Sequence, residues 1–202
     1  MMAKPFASSE DTVNPNVVID EIAPGVFART AGGDPTMGAV EGEDFWVCIE
    51  AGATPFAARR WVDELRSIRD KPIRFLVLSH YHAVRVLGAA AFDAQWVVAS
   101  DRTKRWIQER GQADWDSEAG RMPRLFEKPE SIPGLTHPTL TFSDSLTIEL
   151  GAQRGVLELR WMGRGHTEGD IVAWLPKPGV VFTGDLVESE AALYTGDAFH
   201  LD

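Results

Sequence analysis

The segment LSHYHAVRV (78–86) sets two histidines, His80 and His82, at i, i+2 directly after an apolar run. Side chains at that spacing in extended backbone project to one side. The pair can therefore share one metal ion, at about 2.0–2.1 Å per nitrogen. An isolated HxH pair is commonly a cap or a surface feature, and two further segments change its meaning. GRGHTEGD places His166 in a glycine-flanked turn after LELRWMG, where backbone can approach a ligand closely. VVFTGDLV ends another apolar stretch in Gly184–Asp185. Three strand ends thus deliver ionisable groups. Three imidazoles make a site with an open fourth position, a catalytic type in which a coordinated water ionises near pH 7. An aspartate beside the ion can orient or deprotonate that water. The positions after His82 interrupt the pattern. Val84 has no lone pair and Arg85 is a permanent cation, so neither can bind a metal.

The elements needed to hold these residues are legible around them. Residues 17–29 and 38–50 carry short apolar runs separated by Gly and Asp, which suggests an antiparallel opening. Thr54 can cap a helix whose first residue is Pro55. Ala58, Trp61, Val62, Leu65 and Ile68 then form one apolar face. IRFLVL (73–78) reads as a strand covered on both faces, and QWVVAS (95–100) as another. Residues 101–118 read as a polar helix, and 120–138 as an irregular loop near a site mouth. In LTIEL, Leu146, Ile148 and Leu150 share one side; in VLELRW, Leu157, Leu159 and Trp161 do. IVAWL and VVFTG are joined by the turn PKPG. A strand–helix–strand half followed by an antiparallel half suggests packed sheets with helices outside, an α/β layered fold.

Composition excludes other classes. With 202 residues the chain can bury a sizeable core. Its net charge of −10 argues against nucleic acid, which needs clustered Lys and Arg. The basic residues of RRWVDELRSIRDKPIR alternate with Asp63, Glu64 and Asp70, as on a solvated helix face. No apolar run approaches the roughly 20 residues that span a bilayer. The first 16 residues lack the apolar stretch of a secretory signal and read as a flexible lead-in, so a cytoplasmic location is expected. Cys48 is the single cysteine, which rules out an intramolecular disulfide and a thiolate cluster; it reads as a core residue, as do Trp46, Trp61, Trp96, Trp161 and Trp174.

In order and approximate spacing, SHYHAVRVLGAAAF, GRGHTEGDIVAWLP and VVFTGDLV resemble the motifs of the metallo-β-lactamase-fold hydrolase superfamily, nearest its glyoxalase II-like branch. The resemblance covers residues 17–190 and implies an αββα sandwich over residues 17–202, short at its C-terminal end. It implies His80, His82 and His166 as ligands of the first metal site, and Asp185 as the carboxylate ligand and catalytic water-handling group. Where the family has Asp this chain has Val84, and where it usually has a second-site His it has Arg85. The expectation is therefore one zinc ion, with iron or manganese as alternatives. The implied activity is attack by ion-activated water on an ester, thioester, lactone or amide carbonyl of a small molecule. Arg85 is a candidate to bind a substrate carboxylate or to form a structural salt bridge. A non-catalytic binding or assembly role and mononuclear iron chemistry on a thiol or persulfide are the alternatives, and homo-oligomerisation is left open. Glu168 and Asp170 are expected to fix the turn around His166. His137 and His200 read as surface residues, and Glu188 and Glu190 as solvated charges.

Overall fold

Period-two alternation along the strands builds two cores. The computed structural model describes residues 16–32, 34–189 and 191–199. Its first sheet has seven strands in chain order: β1 (Val17–Ala23), β2 (Val26–Ala31), β3 (Met37–Glu41), β4 (Trp46–Ile49), β5 (Ile73–Val77), β6 (Trp96–Ser100) and β7 (Leu140–Phe142). The opening is antiparallel as expected, and each of the two apolar runs folds back on itself as a hairpin. From β4 to β7 the pairing is parallel. The second sheet, β8 (Ser145–Glu149), β9 (Val156–Trp161), β10 (Ile171–Leu175) and β11 (Val180–Phe182), is wholly antiparallel.

On β4, Trp46 and Cys48 face one core while Val47 and Ile49 face the other. The core between the sheets also takes Val77, Val98, Ile148, Leu157, Leu159 and Ile171. The other lies beneath the helices α1 (Pro55–Ile68), α2 (Ala83–Val86) and α3 (Asp101–Arg121), around Trp61, Leu65, Leu76, Leu78 and Ile107. Thr54 caps α1 by accepting from the Ala57 N–H at 3.1 Å. Ala58, Trp61, Val62 and Leu65 are buried as their spacing requires. Ser100 caps α3, which runs three residues beyond the expected end. The expected loop 120–138 begins inside α3, whose last residue is Arg121; residues 122–138 are irregular apart from 3-10 turns at Pro123–Leu125 and Pro129–Ser131.

The tryptophan expectation needs correction. Trp46 and Trp61 are fully buried, but Trp96, at the start of β6, is 39% exposed. Trp174 falls between buried Ala173 and Leu175 on β10, so alternation turns it to the outer face. Trp161 is half-buried, its Nε1–H donating to Glu168 O at 2.9 Å and its ring covered by Arg102. Cys48 is fully buried, and burial raises its thiol pKa. Among the described residues no α-helix follows β11, so the layers described are α, β and β. No helix among them is long and apolar enough to cross a membrane.

Candidate metal centre

The site lies where the C-terminal ends of β5 and β11 meet the β9–β10 turn. Residues 79–82 leave β5, and the Ile171 N–H donates to Ser79 O at 3.0 Å, tying the start of β10 to that segment. Gly184 has φ 54°, and a Cβ there would lie 2.4 Å from Ser79 Oγ. Only glycine lets the end of β11 come this close, and the closeness brings Asp185 against the histidines.

Four donor atoms converge. His166 Nε2 lies 3.0 Å from His82 Nδ1 and 3.4 Å from Asp185 Oδ2. His80 Nε2 lies 3.5 Å from the same Asp185 oxygen. The ligand atoms of all four residues fall within 4.8 Å of one another. The three rings pack nearly perpendicular, with centroids 4.7–4.8 Å apart, so each directs an edge towards the centre. His80 Nε2 is buried with no hydrogen-bond partner, a cost that a bound cation would remove. Neutral imidazoles with one carboxylate match the preferences of zinc and related divalent ions.

The outward nitrogens are held. His80 Nδ1 is 2.8 Å from Ser79 Oγ. His82 Nε2 is 2.7 Å from Asp197 Oδ2. His166 Nδ1 donates to Tyr194 O at 2.6 Å. A carbonyl only accepts, so His166 Nδ1 carries the proton and Nε2 keeps its lone pair for the centre. Burial pushes His80 down to about 3, against the opposing pull of Asp185. Burial also lowers His166, helped by the neighbouring His82. At His82 burial is outweighed by the bond to Asp197 and by Asp114 and Glu118, which together raise it to about 9.

Beside this cluster the character changes. Val84 is buried. Arg85 donates through Nη2 to Asp185 Oδ1 and through Nη1 to Thr36 O at 3.1 Å. Burial alone would raise the Asp185 carboxyl, but Arg85 and then His80 hold it well below the usual carboxylate range. Glu50, also buried and with φ 65°, is pushed up to about 7 by burial, partly offset by Arg85. A cavity of about 500 Å³ opens over the centre, walled by Val84, Arg85, Glu118, Phe182, Val187 and Glu188.

His80, His82, His166, Asp185 and Arg85 are thus brought together. Asp170 accepts from both the Thr167 N–H and hydroxyl at 2.7 Å and fixes the His166 turn as expected. Glu168 accepts from Trp106 Nε1–H at 2.9 Å and pairs with Arg105. His137 is exposed and does not line the cavity. Glu188 is half-buried in the cavity wall, where a solvated charge was expected, because the turn after β11 folds it beside Asp185. His200 and Glu190 lie outside the described residues. Six contributors went unread in the sequence: Ser79, Glu50, Tyr194, Asp197, Asp114 and Glu118. The last two, one turn apart on α3, accept from the Ala83 and Val84 N–H groups at 2.7 and 2.9 Å. An i, i+4 carboxylate pair on a polar helix was the available signal, and it looked like solvated surface.

Comparison with known proteins agrees with this fold. Solved structures share the fold, among them two metallo-beta-lactamases. The metallo-beta-lactamase from Pontibacter korlensis superposes with a TM-score of 0.67 at 21% identity, over 93% of this chain and 80% of that one. The metallo beta lactamase from Hirschia baltica gives 0.61 at 19% identity, over 83% and 70%. Among curated relatives, the metallo-beta-lactamase type 2 of Bacteroides fragilis is 33% identical over 69 residues, 34% of this chain and 27% of that protein. The linear primary-alkylsulfatase of a Pseudomonas strain is 29% identical over 70 residues, 35% of this chain and 13% of that protein. The segments matched therefore span well under two thirds of those two relatives. The family model of the metallo-beta-lactamase superfamily matches residues 31–200, and the chain belongs to that superfamily.

Proposed function

We propose that the protein is a metal-dependent hydrolase working with one divalent ion, zinc by donor preference. The observation that carries this is the convergence of His80 Nε2, His82 Nδ1, His166 Nε2 and Asp185 Oδ2 at the floor of the cavity. An ion held there supplies a Lewis acid for the scissile carbonyl and acidifies a coordinated water.

The chain's own residues supply the rest. Arg85 holds Asp185 Oδ1, which leaves Oδ2 turned to the three imidazoles and ready to accept a hydrogen bond from the attacking water. With its carboxyl held so acidic, Asp185 orients that water and does not store its proton. Arg85 also sets a fixed positive charge in the cavity wall, where a substrate carboxylate would meet it. Phe182, Val187 and Val84 give the cavity its apolar side, suited to the body of a small ester, thioester, lactone or amide.

The test is turnover of an ester, thioester and lactone panel with added zinc, manganese or iron. A primary alkyl sulfate joins the panel because one relative is an alkylsulfatase. Activity lost in His82→Ala and kept in His137→Ala supports the hydrolase. Two observations favour a second reading, a scaffold that binds an ion without turnover: Asp185 is already committed to Arg85, and Val84 stands where the family has a proton-handling Asp. Full metal loading with no turnover across the panel would select it.

A further inference from the structure

Three features outside the four donor atoms invite a function: the ion pairs around Glu41, the cleft at Arg29 and Arg124, and the segment Tyr194–Asp197. The first is a carboxylate satisfied by Lys71 and Arg154. The second holds Arg124 paired with Asp34 and Arg60 with Glu127, which leaves its chemistry balanced. The third reaches the metal centre from behind.

We infer that Asp197, braced by Tyr81, is a positioning residue that fixes His82 as an Nδ1 ligand, and that Tyr194–Asp197 acts as a strap over two of the three imidazoles. The inference rests on the metal-centre reading above. Asp197 is buried, and its Oδ2 receives two hydrogen bonds, from Tyr81 Oη–H at 2.6 Å and from the His82 Nε2 edge at 2.7 Å. Three residues earlier in the chain, Tyr194 O accepts from His166 Nδ1, and the Tyr194 ring stands edge-on to His166 at 5.7 Å. The Tyr194 hydroxyl lies 3.4 Å from Asp197 Oδ1, so the two ends of the strap are linked to each other. Asp114 Oδ1 also faces His82 Nε2 from α3, but at 4.0 Å, beyond hydrogen-bond reach.

The consequence is directional. A carboxylate on Nε2–H commits the proton to that nitrogen, turns the ring so that Nδ1 faces the centre, and pushes electron density onto Nδ1. Tyr81 is the intervening residue of the HxH motif, so the same motif supplies two ligands and the brace for one ligand's partner. A purely structural strap would hold the backbone without altering what His82 offers the ion.

The test is cobalt and zinc titration of the full metal-stripped chain, read by a chromophoric competitor and by the cobalt ligand-field spectrum. Asp197→Asn keeps the shape and removes the charge; it is expected to weaken metal binding by about 10- to 100-fold and to move the cobalt band. Tyr81→Phe removes one brace, leaves the carboxylate, and is expected to move the band the same way with a loss of a few-fold. It also carries the test should Asp197→Asn fail to fold. Wild-type affinity and an unshifted band in these variants would overturn the inference while leaving the metal centre intact. A wild-type chain that takes up neither metal would overturn the metal centre itself, and the strap's role with it.

Discussion

Two halves of one cavity floor are built on opposite principles. In the half formed by His80, His82 and His166, every outward nitrogen is anchored, and the inward atoms face one another and Asp185 Oδ2. In the half formed by Val84, Arg85 and Glu50, a buried guanidinium occupies the ground and takes one oxygen of Asp185 for itself. The first half is prepared for an ion; the second already contains a permanent one. Asp185 belongs to both, with Oδ2 turned to the histidines and Oδ1 to Arg85. The difference teaches that buried carboxylates beside a candidate metal cluster need no second ion, because a fixed organic cation can balance them.

Removing a donor from the prepared half has the largest expected effect. His82→Ala is expected to lower metal retained after desalting from about one ion per chain to under about a tenth, measured by elemental analysis. Unchanged loading would mean that the ion sits elsewhere. On the other side, Arg85→Met leaves Asp185 buried without its cation. The metal-free protein is expected to lose about 3–5 kcal/mol in urea unfolding, with part of the loss recovered on metal addition. Equal losses with and without metal would show that the two halves do not share Asp185.

Glu50 sharpens the contrast through pH. Its carboxyl is raised from 4.5 to about 7, so between those values the native chain holds more protons than the unfolded one. Stability from this group is therefore present below about pH 4.5 and lost as pH rises towards 7. Glu50→Gln removes that slope. Metal-free Glu50→Gln is expected to match wild type at pH 5 and to exceed it at pH 8, by on the order of 2 kcal/mol. A difference that does not grow with pH would mean that Arg85 already neutralises Glu50. The smallest effect belongs to His137→Ala, an exposed histidine outside the cavity: metal content and unfolding midpoint should be those of wild type.

What the sequence made legible depended on how local the signal was. His80, His82, His166 and Asp185 each sit at the end of an apolar run, and each run became a strand aimed at one place. The face of α1 and the alternation in β8 and β9 were written in their own spacing and formed as expected. The helix-side supports were not legible, because nothing near Asp114 or Glu118 says that their partners are backbone N–H groups some thirty residues earlier. Asp197 was hidden in the same way, meeting His82 across 115 positions. Trp96 and Trp174 misled because an aromatic in an apolar strand still alternates, and one of its two faces can be the outer one.

The comparison between the two halves stands or falls on the number of ions bound. Elemental analysis of the purified chain, saturated with zinc and freed of loosely held metal, measures it directly. With Arg85 fixed on Asp185 and Val84 offering no ligand, the result expected is one ion per chain. Two tightly held ions per chain would contradict the account.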